Sequence, residues 1–513
     1  MKVLLTDASY KHTLGAARAL ATEGVEVHVC SSFDHALSFY SKSVKKRFLC
    51  PDPGAAKLFL KAIETIDERE HYDVILPIGD AAWYSLVMKG PKDLLAKIPA
   101  PPKSSYAIAC DKAKTLVFAK SHGIPCPQTV LPHDRASLIS RLHPPVVAKP
   151  ALGRGKAVTL FSLNEARSLR LKRPGSRYVI QERIVGNGYG FFGLCKNGKL
   201  ITSFMHKRIR EVPPSGGPSS AAESTYDSEL FQLGSRTLEV LNWHGVAMVE
   251  FKQDATTGEF KLIEINPKFW GSLDLALASG INFPFLATQL VLGNDISLPK
   301  PYGNLRYCWP IPDDLRHLLS KPTSTLPVLR DWVNPMVKKN IRISDLGPHL
   351  SLAYAAGKNV IRPPRYRWIL PGELAASGRP RSVLQLAWLR SRGIKAILDL
   401  TEKPRDLESS LWKRNGRYLS LPMKDHAPPT LRQIKRALNF IDQEHQNGNR
   451  VLVHCLAGLG RTGVVAACYL VKRQRKSARI AMDEVRAWRP GAIEEPQESS
   501  VMRYAQSRTR GAT

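Results

Sequence analysis

Residues 451–463 read V-L-V-H-C-L-A-G-L-G-R-T-G. A thiol, Cys455, precedes a guanidinium, Arg461, and Gly458 and Gly460 lie between them. Such a stretch suits attack on phosphorus. The glycines let successive N–H groups turn inward and form an anion nest. A helix starting behind the loop adds the positive end of its dipole. Arg461 offers a planar fork for two phosphate oxygens. The same field favours the thiolate of Cys455 near neutral pH. The expected chemistry is capture of a phosphate and attack on it by sulfur. Thr462 is expected to hydrogen-bond the sulfur and ease its departure, and His454 stands just before the nucleophile.

A second set is built from oxygen. Glu250 lies in G-V-A-M-V-E-F, and Glu264 and Asn266 lie in F-K-L-I-E-I-N-P-K-F-W. Glu264 and Asn266 are two apart on a predicted strand and face the same side. These hard ligands suit Mg²⁺, or Mn²⁺, held against nucleotide phosphates. Further upstream, Lys112 lies in D-K-A-K, Lys149 closes P-V-V-A-K-P, Gly153 and Gly155 form a turn, and Gln181 and Glu182 close Y-V-I-Q-E.

Apolar periodicity predicts the elements that hold these groups. Val451–Val453 is a buried strand and Val464–Lys472 a helix. Before them come a strand over Tyr366–Leu370, a helix over Ser382–Arg392, and strands over Lys395–Leu400 and Arg417–Leu421. The proline-flanked loop P-M-K-D-H-A-P-P-T carries Asp425 and leads to a helix over Leu431–Gln446. At the other end, Lys2–Leu5 and Val25–Cys30 read as strands around a helix over Leu14–Glu23, with no G-x-G-x-x-G fingerprint. Gly245–Phe251 and Phe260–Trp270 read as a hairpin joined through a turn. The run H-K-R-I-R-E-V-P-P-S-G-G-P-S-S, His206–Ser220, reads either as a solvent-exposed linker or as a mobile loop placing Arg208 and Arg210 on a substrate carboxylate or phosphate.

Composition narrows the class. The chain has 513 residues, 43% of them apolar, so several domains with real cores are expected. No apolar run approaches the ~18 residues of a membrane helix. The eight cysteines are scattered without a C-x-x-C pair, which argues for a reducing, cytoplasmic setting and against a disulfide framework or structural zinc. Lys and Arg number 75 against 44 Asp and Glu, a formal net charge of +31. Solubility and sites for anionic substrates account for this more simply than a nucleic-acid or anionic-membrane partner, because the basic residues are spread along the chain.

The Cys455 loop resembles the signature loop of the protein-tyrosine-phosphatase superfamily, in the form seen in compact dual-specificity phosphatases. The segment P-G-E-L-A-A-S-G-R-P resembles the opening segment of that family. The resemblance implies that Asp425 is the general acid, which protonates the leaving oxygen and later activates water. It also implies that the run R-P-G-A-I-E-E-P-Q-E orients that water. The family's glutamine aligns best with Glu498, with Gln497 one residue earlier as the candidate.

Residues 1 to about 300 resemble, in order, the ATP-grasp superfamily, of the type described as predicted carboxylate–amine ligases. This implies that Lys112 and Lys149 offset phosphate charge, that Gly153 and Gly155 belong to a lid, and that Gln181 and Glu182 form the adenine hinge. The family pattern continues E-I-N-P-R. Here Lys268 fills the arginine's place, keeping the charge without a bidentate fork. The implied cofactors are ATP and Mg²⁺ (or Mn²⁺), and the implied substrates a small carboxylate and an amine or thiol. For the C-terminal part the implied substrate is a phosphorylated metabolite or phosphoprotein.

The expected fold is α/β throughout: an open pre-ATP-grasp domain over 1–104, an α+β ATP-grasp domain over 105–300, a connector over 301–361, and a compact cysteine-phosphatase domain over 362–513. The expected function is a ligase joined to a phosphatase. A regulatory phosphatase with a nucleotide-sensing module is the alternative.

Overall fold

The structure is a computed structural model that describes residues 1–134, 136–152, 157–172, 178–214, 216–298, 300–404, 417–489 and 491–509. The chain divides into two compact units, Met1–Ser351 and Leu352–Thr513. Among the described residues no helix is long and apolar enough to cross a membrane.

Among the described residues, the first unit holds three sheets. Lys46–Leu49, Glu26–Ser31, Lys2–Leu5 and Val74–Leu76 lie side by side, all parallel. The strand triplets Val3-Leu4-Leu5 and Val74-Ile75-Leu76 are fully buried, as parallel strands between helices must be. Thr129–Val130, Tyr178–Glu182, Val146–Pro150 and Val158–Leu160 form a small antiparallel sheet.

The largest sheet has seven strands, in the order Phe260–Asn266, Gly245–Gln253, Gly188–Lys196, Lys199–Glu211, Ser219–Ser224, Arg306–Cys308 and Lys338–Lys339. The predicted hairpin is present, with Glu250 directly opposite Glu264. Two expectations change here. The basic run from His206 continues its strand to Glu211 and returns as the strand Ser219–Ser224. Residues 301–361, expected as a connector, supply the last two strands through pairing of Ser219–Ser224 with Arg306–Cys308. Short strands bounded by prolines carry too little periodicity to be read from sequence.

The second unit is a five-stranded sheet in the order Arg367–Leu370, Leu374–Gly378, Arg450–Cys455, Ile394–Asp399 and Tyr418–Ser420. Only the first pair is antiparallel. Val451 and Val453 point to one face, packed in a core that includes Ile434, Leu438, Val464 and Val485 from helices Leu431–Gln446, Gly460–Gln474 and Ala478–Trp488. Leu452 points to the other face, into a core with Leu386 and Leu389 of helix Val383–Ser391. The strand bearing Cys455 is thus central and flanked by parallel neighbours, with a helix starting where it ends. Helix Leu431–Gln446 starts on a capping box, Thr430 with Gln433, and this fixes where the preceding Asp425 loop stops.

Candidate functional site

The Cys455 loop closes at the C-terminal end of the central strand. Cys455 is buried, and its Sγ accepts the Gly458 N–H at 3.2 Å. Gly458 has φ +75°, and a Cβ there would stand 2.5 Å from the backbone of Ser377 and Gly378. Only glycine lets the loop lie against the neighbouring strand and turn this amide toward sulfur. A Cβ on Gly460 would meet the Gln497 amide at 2.7 Å, so Gln497 sits directly over the loop.

Arg461 is the first interior residue of helix Gly460–Gln474 and is almost fully buried. Its Nη1 donates to the carbonyls of Met423 at 2.9 Å and Leu400 at 3.3 Å. Its Nη2 lies 2.8 Å from Asp425 Oδ1. The Asp425 N–H donates to Glu402 Oε1 at 2.7 Å. His426, with φ +55°, places Nδ1 at 2.8 and 2.9 Å from the two Glu494 oxygens. That bond chiefly raises the His426 pKa above the ordinary imidazole value.

The structure thus brings Cys455, Arg461, Asp425, Gly458, Gly460 and Gln497 together. Of the two candidates Gln497 and Glu498, Gln497 is buried and its Oε1 accepts the Glu494 N–H at 3.2 Å, whereas Glu498 turns away to pair with Arg486. The expected bond from Thr462 to sulfur is a correction. The Thr462 hydroxyl is buried and, among the described residues, has no hydrogen-bond partner.

Sequence reasoning missed three supports. Asp399 is register partner to His454 in the adjacent parallel strand, and its Oδ1 lies 3.7 Å from His454 Nδ1. Asp399 in turn accepts from the Thr401 N–H and hydroxyl at 2.8 and 2.6 Å and from the Tyr418 hydroxyl at 2.8 Å. Arg489 donates through Nε to the Gly458 carbonyl at 2.9 Å, bracing the loop from behind. Burial lowers its pKa to about 10, opposed by the nearby Cys455. Glu402 is the third, through the Asp425 N–H.

In the first unit the oxygen set is interleaved with cations. Lys112 opens helix Lys112–Ser121, capped by the Asp111 side chain, and its N–H donates to Ala151 O at 2.8 Å. Its Nζ lies 3.3 Å from Glu264 Oε2. Arg208 Nη2 lies 2.7 Å from Glu250 Oε2. Asn266 Nδ2 donates to Glu264 Oε1 at 3.0 Å. Burial lifts the Glu250 carboxyl above the ordinary range; Arg208 pulls against this and the facing Glu264 adds to it. Burial lifts Glu264 too, but Lys112, Asn266 and Lys149 outweigh it and hold it below the ordinary range. Burial lowers Lys149, against the pull of Glu264 and Glu250.

These residues fit a divalent cation and a polyphosphate. Two opposed carboxylates compete for charge balance, an amide stands beside one of them, and three cations surround the pair. Glu182 Oε1 accepts from Gln128 N–H at 3.0 Å and Lys261 Nζ at 3.2 Å, and Gln181 Nε2 donates to Thr129 Oγ1 at 3.0 Å. The strand that carries this pair is an inner strand of the small sheet, tied on one side to Thr129–Val130 and on the other to Val146–Pro150. Lys268 pairs with Asp80 at 2.7 Å, at the start of helix Asp80–Lys89. Gly153 and Gly155 lie outside the described residues. Arg210 is a correction: it is buried and held by Asp314 at 3.1 Å and by Asp331, away from the oxygen set.

Two classes are therefore joined in one chain, an ATP-grasp, ligase-like module and a dual-specificity-type cysteine phosphatase domain. Residues 179–309 match the family "ATP-grasp in the biosynthetic pathway with Ter operon". Residues 363–506 match the family "Swiss Army Knife protein, DSP-PTPase phosphatase domain".

Similar curated proteins include phosphatidylglycerophosphate phosphatase PTPMT2 of Arabidopsis thaliana, 31% identical over 117 residues, which are 22% of this chain and 51% of that protein. Dual specificity protein phosphatase CDC14A of Homo sapiens is 29% identical over 147 residues, 26% of this chain and 24% of that protein. The chain thus spans about half of the first relative and about a quarter of the second. Among solved structures, biotin carboxylase from Campylobacter jejuni has a TM-score of 0.49 at 15% identity, covering 60% of this chain and 74% of that one. L-amino acid ligase from Bacillus licheniformis has a TM-score of 0.45 at 15% identity, covering 56% and 74%.

Proposed function

We propose that the protein carries two activities. The C-terminal unit hydrolyses a phosphomonoester, and the N-terminal unit is an ATP-dependent ligase joining a carboxylate to an amine or thiol. One observation carries the first activity: the Gly458 amide points at Cys455 Sγ while Arg461 holds Asp425 beside the same loop.

In this reading the loop amides and Arg461 hold the phosphate, and Cys455 Sγ attacks phosphorus. Asp425 gives its proton to the leaving oxygen, and a cysteinyl-phosphate remains. Water placed by Gln497 then gives a proton back to Asp425 as it attacks, releasing phosphate and the thiolate. His454 and Asp399 hold the end of the strand from below. Hydrolysis of an aryl phosphate, lost in Cys455→Ser and untouched by chelator, tests this. Parallel assays on phosphopeptides and small phosphorylated metabolites separate the two substrate classes.

For the ligase, Glu250, Glu264 and Asn266 would hold the divalent cation, and Lys112 and Lys149 the nucleotide phosphates. The bound Mg·ATP supplies the phosphoryl group that turns a carboxylate into an acyl phosphate. Gln181 and Glu182 lie on the strand that would flank the base. Arg208, now held by Glu250 and Glu211, and Lys268, now held by Asp80, would receive an anionic substrate by exchanging those partners. ATP turnover that requires both an added carboxylate and an added amine or thiol tests this arm. ATP binding without such turnover would favour a nucleotide sensor instead.

A further inference from the structure

Leu315–Ser320 and Thr325–Val333 are consecutive short helices joined by the turn Pro322–Ser324. On the longer one, Val328 and Asp331 face inward. Leu326, Leu329 and Val333 fall on the opposite side at helical spacing and are 66%, 45% and 79% exposed. On the shorter helix Leu315 and Leu319 are 43% and 85% exposed, and Met336, just beyond the pair, is 78% exposed. Single exposed apolar residues need no account, but a group of this size in one stretch of chain does.

The charges of the same stretch are sorted. Asp313 pairs with Lys11, and Asp314 and Asp331 are drawn inward onto Arg210. Arg316, Lys321, Arg330 and Lys338 are exposed. The face therefore shows apolar and basic groups to solvent and keeps its acids beneath.

We propose that this face seats the protein on an anionic lipid surface. Leucine, valine and methionine side chains standing this far into water are suited to enter the acyl boundary, while arginine and lysine remain at the headgroups. A second copy of the chain fits the face badly, because it would set the four basic side chains against their own duplicates. A nucleic acid would match the charge and leave the apolar residues in water. The attachment is interfacial, since no described helix is long and apolar enough to span. It is independent of both catalytic assignments.

Co-sedimentation of the full chain with vesicles tests it, using phosphatidylcholine alone and phosphatidylcholine mixed with phosphatidylglycerol. The wild type is expected to pellet with the anionic vesicles only, and less so as salt rises. Leu319→Glu combined with Val333→Glu is expected to lower partitioning about tenfold. Arg330→Glu combined with Lys338→Glu weakens it too. These positions are exposed, and circular dichroism verifies that each variant is folded. The proposal is overturned if the wild type binds neither vesicle, binds both equally, or is matched by the variants. It is equally overturned if the wild type is a dimer that the substitutions dissociate and no vesicle captures.

Discussion

Asp425 Oδ1 lies 2.8 Å from Arg461 Nη2, so the proposed acid and the proposed clamp of the phosphatase unit are ion-paired at rest. The carboxylate occupies the guanidinium edge that a phosphate would need under the proposed mechanism. Asp425→Asn removes both the proposed proton donor and this internal competitor. Turnover of an aryl phosphate is expected to fall about 100-fold, and further for poor leaving groups. Inhibition by inorganic phosphate is expected to tighten. Steady-state rates with two leaving groups, together with the phosphate inhibition constant, measure both effects.

Gly460 abuts the Gln497 amide, and Glu498 pairs elsewhere. Gln497→Ala is expected to slow hydrolysis of the covalent intermediate more than its formation. Rapid mixing should then show a burst of aryl product followed by a slow phase. Glu498→Ala should leave both phases unchanged. Gly460→Ala should reproduce the Gln497 phenotype, because the new methyl group displaces the amide.

His426 is held by Glu494 and has a raised pKa. A group raised on folding contributes stability that is complete below its unfolded value of about 6.5 and is lost as pH rises through the folded value. The melting temperature of the wild type should therefore exceed that of Glu494→Gln at acidic pH. The gap should close as pH climbs through the raised value. Thermal melts of the two proteins across that range decide it.

Glu250 and Glu264 face each other across the hairpin. Substituting Glu264→Gln keeps the shape and removes one proposed cation ligand. It should abolish the Mg²⁺-dependent part of the thermal shift produced by ATP and leave the nucleotide-free protein folded. Calorimetric titration of ATP with and without Mg²⁺ gives the same comparison directly.

Arg210 serves the fold. Arg210→Met strands Asp314 as a buried charge and leaves Asp331 to Arg306 alone, which should cost about 3–5 kcal/mol of stability. Nucleotide affinity below the new melting temperature should be unchanged. Denaturant unfolding and ATP titration of the same variant separate the two roles.

The geometry of the Cys455 loop was legible because it is local: thiol, glycines, arginine and helix start follow one another along the chain. Asp425 was placed by its loop one strand–helix unit before the nucleophile. Asp399 and Arg489 were not legible, because they act only through the register of parallel strands and the return of a distant helix. The paired strands and their Glu250, Glu264 and Asn266 were readable from alternation. Arg210 was misread because its partners, Asp314 and Asp331, lie in a segment with little periodicity. Lys268 was noticed as a departure, yet its partner Asp80 comes from the other end of the unit. Local pattern carried the reacting atoms, and long-range pairing decided what supports them.

The strand Arg450–Cys455 is hydrogen-bonded on both sides, to Leu374–Gly378 and Ile394–Asp399. Asp425, by contrast, sits half-exposed in a loop tied down by side-chain contacts. Amide protons of Val451–His454 should exchange with solvent only when the whole unit unfolds, whereas those around Asp425 should exchange through brief local opening. The Cys455 strand and the Asp425 loop should thus keep different clocks: one is held as permanently as the fold, and the other opens on its own.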